Sequence, residues 1–60
     1  MKYRIYDKIE KEIVLSTDSK KELDFYINRN GWNNVFEGFY YENDEMIIET
    51  AQYNIIIKGE

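Results

Sequence analysis

The sequence predicts an α+β fold, a small antiparallel sheet of four or five strands with one helix packed on one face. The order is β-β-α-β-β, with a fifth strand if the chain breaks near Ala51. Three observations carry this. Apolar residues alternate with polar ones in short segments at both ends of the chain, and one central segment repeats its apolar residues at helical spacing. A 43% hydrophobic and 17% aromatic composition is also too rich for a disordered chain.

Residues 2–7 place Tyr3 and Ile5 on one side and Arg4 and Tyr6 on the other, and Ile13 and Leu15 alternate with Val14 and Ser16. These are two strands. The charged segment Asp7 to Glu12 between them is short, so they are expected to pair as an antiparallel hairpin, with the turn type left open. Ser16-Thr17-Asp18-Ser19 then collects helix-starting residues, and Ser19 with Glu22 makes a capping box. Leu23, Tyr26, Ile27 and Asn30 follow i, i+3, i+4, i+7 spacing with Phe25 beside them, while Lys20, Lys21, Asp24 and Asn28 face water. Gly31 is the expected left-handed stop, and Trp32 is placed to pack back on Ile27 as a cap and core anchor, an exposed binding Trp being the alternative.

From Val35 to Tyr41 the chain alternates Val35, Glu37, Phe39 and Tyr41 against Phe36, Gly38 and Tyr40, which predicts a third strand. Glu42-Asn43-Asp44-Glu45 reads as a polar turn, and Met46-Ile47-Ile48 opens a strand returning antiparallel. Tyr53 to Lys58 is again β-favouring after apolar density drops at residues 50–52. It is either a fifth strand or a bulged continuation, and an unbroken strand across both stretches would exceed the usual length, which favours a break near Ala51.

Composition narrows the function. Sixty residues make a single domain, 1–60, burying only about 60% of the surface its unfolded chain exposes, so a dimer or very tight packing would help it. Cysteine and histidine are absent, which removes disulfides, thiolate and imidazole metal ligands and the commonest general base. No phosphate loop, nucleophile elbow or cofactor fingerprint is present, and no carboxylate loop has calcium-binding spacing. A non-enzymatic protein with no cofactor is therefore expected. No apolar run or leader-like segment is visible, so the chain reads as soluble and cytoplasmic, without membrane association.

Charge is the most informative feature. Residues 1–29 carry seven basic and six acidic side chains, whereas residues 30–60 carry one basic and six acidic, for a total of -4. The acidic residues Glu37, Glu42, Asp44, Glu45 and Glu49 meet no Lys or Arg between Asn30 and Ile57. Carboxylates two apart on a strand stand about 6.5 Å from one another, comparable to neighbouring phosphates, so such a hairpin suits a partner with a basic, nucleic-acid-binding cleft. The plainer alternative is a solvated face that confers solubility and discourages edge-to-edge aggregation.

Six tyrosines add a second feature. Tyrosine suits interfaces because its ring is apolar and its hydroxyl tolerates water. Tyr40 and Tyr41 must point to opposite sides of their strand, so at least one is expected outside the core, and the sheet's second face carries apolar groups that one helix leaves uncovered. Ordinary aromatic cross-strand pairing would account for the same residues. Together these readings nominate Glu37, Tyr40, Tyr41, Glu42, Asp44 and Glu45 as a partner-binding surface. Direct nucleic-acid binding is disfavoured, because the aromatic strands are the acidic ones.

Codon usage supplies a hint of source: Phe, Tyr, Met, Ile, Asn and Lys make up 32 residues against 6 for Gly, Ala, Arg and Pro. In size, acidity, tyrosine content and this AT-rich bias the chain resembles, as a class, the small inhibitors that phages and mobile elements encode against host proteins or defence systems. That resemblance implies a host protein as partner, with inhibition by binding, and some members of the class are dimers. A homo-oligomer is the alternative expectation, with Ile55 to Ile57 or the second-face aromatics at its interface.

Overall fold

The structure, a computed structural model, describes residues 1–29 and 36–59. Its elements are β1 (Tyr3–Asp7), β2 (Glu12–Thr17), α1 (Lys20–Arg29), β3 (Phe36–Glu42), β4 (Glu45–Thr50) and β5 (Tyr53–Lys58). The strands form one antiparallel sheet in the order β2-β1-β5-β4-β3. The chain does break at Ala51, and β5 is a separate strand. Thr50 enforces the break: its buried hydroxyl accepts the Tyr53 N–H at 2.8 Å and donates to the Tyr53 carbonyl at 3.0 Å, replacing ladder bonds across the turn. The helix-stripe residue Asn30, the expected stop at Gly31, the Trp32 cap and the strand residue Val35 lie outside the described residues.

Register assigns the two faces. Leu15, Ile5, Ile55, Ile48 and Phe39 stand opposite one another across all five strands, so they share a face. On that face Tyr3, Ile5 and Ile55 form a buried cluster with Leu23 and Ile27 of α1. The expected stripe on α1 is largely present, with Leu23 and Ile27 buried and Tyr26 half-buried; Phe25 beside it is exposed. The second face carries Arg4, Ile56, Ile47 and Tyr40 in one row.

Two register shifts alter the predicted faces. The first, between Ile5 and Tyr6, puts Leu15 opposite Ile5 but Ile13 opposite Tyr6. Ile13 and Leu15 therefore take opposite faces, and Val14 packs towards the core beside Leu15. The second lies between Phe36 and Gly38, with Phe36 opposite Thr50 and Gly38 opposite Glu49. Phe36 consequently joins Phe39 and Tyr41 rather than Tyr40. Ile55 to Ile57 also sits elsewhere than an edge interface requires, because β5 is the central strand, hydrogen-bonded on both sides.

Polar side chains fasten the ends of the sheet. The Asp7 carboxylate, 4% exposed, accepts the N–H groups of Ile9 and Glu10 at 2.9 and 3.0 Å and the Gln52 amide at 3.2 Å. The Glu10 N–H above all, helped by those of Ile9 and Gln52 and opposed by burial, holds its carboxyl below the usual 3.8. Lys8 completes the link between the two turns through its N–H on the Gln52 carbonyl at 2.8 Å and its Nζ on the Thr50 carbonyl at 2.6 Å. At the start of α1, the Glu22 N–H donates to Ser19 Oγ at 3.3 Å, the expected half of a capping box. The reciprocal half runs through a relay: Ser19 N–H donates to Thr17 Oγ1 at 3.1 Å, and that hydroxyl donates to Glu22 Oε2 at 2.7 Å.

Candidate functional site

The β3–β4 hairpin turns on Asn43 and Asp44, whose φ values of 52° and 64° have the sign that a two-residue type I′ turn demands. Asn and Asp tolerate that region better than other non-glycine residues because their short polar side chains bond locally. The turn sets Glu42 opposite Glu45, Tyr41 opposite Met46, Tyr40 opposite Ile47 and Phe39 opposite Ile48. β3 is an edge strand, and every residue in it is exposed.

On the face shared with the core, Phe36, Phe39 and Tyr41 are 45%, 65% and 72% exposed. The Phe39 and Tyr41 rings meet edge to face, with centroids 6.1 Å apart at 87°. Beside them a shallow groove of about 390 Å³ is lined by Phe36, Glu37, Gly38, Phe39, Met46 and Ile48. The buried core thus runs out sideways into an open aromatic shelf.

The six nominated residues divide between this shelf and other surfaces. Tyr41 lies on the shelf, and Tyr40, 39% exposed, lies on the opposite face with Glu42 and Glu45. Glu37 occupies the register shift and Asp44 the turn, where its carbonyl accepts the Gly59 N–H at 2.8 Å. Glu45 is compensated, because Arg4 of the first hairpin reaches across β5 to form a half-buried ion pair with it. Glu37, Glu42 and Asp44 have no ion pair among the described residues. No described strand carries two carboxylates two residues apart, so the acidic residues form no phosphate-like row: Glu37 lines the groove, Glu42 and Glu45 lie on the opposite face, and Asp44 sits in the turn.

Phe36 and Phe39 are the aromatic members of this surface that the sequence reading did not nominate, and Met46 and Ile48 beside them were not nominated either. The available signal was Gly38, since a glycine within a strand marks a bulge, and the bulge is what returns Phe36 to the side of Phe39. Among the described residues no group of three His, Cys, Asp or Glu side chains is placed to hold a metal ion, and no helix is long and apolar enough to cross a membrane. No protein-family model, curated protein or solved structure matches the chain.

Proposed function

We propose that the chain is a non-enzymatic protein-binding module and that the β3–β4 hairpin is its contact surface. The observation that carries this reading is the exposure of Phe36, Phe39 and Tyr41 together, contiguous with Met46 and Ile48. A domain this small has little apolar surface to spare, and contiguous exposed aromatics mark contact sites more often than solvated ones. The uncompensated Glu37, Glu42 and Asp44 of the same hairpin favour a basic partner through steering that weakens as salt rises. A host protein with a basic nucleic-acid-binding cleft, inhibited on binding, is the finer form of this proposal.

Immobilised wild-type chain and a Phe39→Ser, Tyr41→Ser variant test it on the same lysate. Both positions are largely exposed, so the variant is expected to stay folded by circular dichroism. Proteins retained by the wild type and lost from the variant, and eluted by salt, support the reading; identical retention by both rejects it.

A second reading, a homo-oligomer, is favoured by the position of β3 as a fully exposed sheet edge. Sedimentation across the micromolar range separates the two.

A further inference from the structure

The following inference rests on the hairpin being a contact surface and specifies how it is used. We propose that β3 takes up an extended segment of a basic partner as a sixth strand, one whose side chains alternate between apolar and Lys or Arg. Among the described residues β3 pairs with β4 alone, and its seven residues contain neither the proline nor the lysine by which edges are usually protected. Its register shift lies at the Phe36 end, leaving Gly38 to Glu42 regular.

The turn fixes which backbone groups are open. Glu42 and Glu45 flank a two-residue turn and so exchange backbone hydrogen bonds, as do Tyr40 and Ile47 two positions on. The N–H and C=O groups of Phe39 and Tyr41 therefore point to the free edge. A strand added there antiparallel, as in every pair of this sheet, bonds to these two residues through the residues directly opposite them.

Side-chain chemistry follows from the same phase. Residues of the added strand directly opposite Phe39 and Tyr41 emerge on the shelf, where exposed rings favour Val, Ile or Leu. Their neighbours, opposite Tyr40 and Glu42, emerge on the other face beside a phenol ring and an uncompensated carboxylate, which together favour Lys or Arg. Glu37 and Asp44 place further negative charge at the two ends of the strand. A second copy of the chain is a poorer occupant, since with a net charge of -4 it would bring a second set of these carboxylates to the same edge.

The probe is an end-capped peptide of about eight residues alternating Val and Lys, titrated into the full chain and read at backbone amide resonances. Saturable shifts at Phe39 and Tyr41, about tenfold weaker at high salt and absent with a Val–Glu peptide, are expected. N-methylation of the Val amides should abolish these shifts, and N-methylation of the Lys amides should leave them. Equal effects of the two methylation patterns would overturn strand addition while leaving the hairpin as a contact surface. The absence of any shift in β3, or equal binding of the Val–Glu peptide, would also overturn it. Sedimentation as a dimer, with the Phe39 and Tyr41 amides protected from exchange without peptide, would overturn it in favour of a second copy.

Discussion

One row of apolar residues crosses the sheet from Leu15 through Ile5, Ile55 and Ile48 to Phe39, and its middle and its Phe39 end have opposite fates. Ile5 and Ile55 are 0% and 1% exposed, whereas Phe39, in register with them and larger, is 65% exposed. Hydrophobicity does not separate these positions. Coverage does: an α-helix about 10–12 Å wide spans roughly two strand spacings, while five strands extend about 19 Å. α1 contributes its buried residues beside β1 and β5, β4 is half-buried, and β3 is left open. The covered half supplies stability, and the open half is the surface proposed for recognition.

The largest expected effect tests that division directly. Ile5→Ala or Ile55→Ala should lose about 2–5 kcal/mol by urea denaturation, enough to unfold a domain of this size, because each removes fully buried methyl groups and leaves a cavity. Phe39→Ala should lose less than about 1 kcal/mol, since its ring is mostly in water already. A Phe39 variant as damaging as the Ile5 variant would show that the open half belongs to the core after all.

Asp7 comes next, at one end of the covered half. Its folded-state carboxyl lies below the usual 3.8, so its stabilising effect is present above that value and is lost as pH falls through the lower folded value. The wild type should therefore lose stability more steeply than Asp7→Asn when denaturation midpoints are followed from about pH 5 to about pH 2. Parallel acid limbs would remove Asp7 as the clasp between the two turns.

The glycines give the smallest pair. A Cβ at Gly59 would come within 2.2 Å of the Asp44 carbonyl oxygen, whereas one at Gly38 would meet nothing within 4 Å. Gly59→Ala should cost about 1 kcal/mol by disturbing the backbone bond that ties the end of β5 to the hairpin turn. Gly38→Ala should be neutral or stabilise by about 0.5 kcal/mol, as expected for a mid-strand glycine with no packing duty. Reversal of that order would mean that the open strand, not the turn, is the constrained region.

The strands, the helix start and the Thr50–Tyr53 break were legible because each depends on neighbours in sequence: period-two alternation, Ser19 with Glu22, and a loss of apolar residues. The opposite orientation of Tyr40 and Tyr41 was legible for the same reason. The face occupied by Phe36 was not, since one extra residue at a bulge inverts every later alternation, and a partner strand is needed to reveal it. The candidate surface was legible in half its members. Glu37, Tyr41, Glu42 and Asp44 could be nominated from local charge and pleat, but the loss of Glu45 to Arg4 joins residues 41 positions apart.

By itself, then, the amino-acid order determined the α+β class, the first five elements with a leaning towards the sixth, and the acidic, aromatic character of the β3–β4 hairpin, because propensity, capping and turn chemistry act over a few residues. Only the tertiary structure decided that β5 is central, that β3 is an edge, and which carboxylates remain uncompensated. Strand order and ion pairing are contacts between distant parts of the chain, and the energy that selects them comes from the faces being buried together.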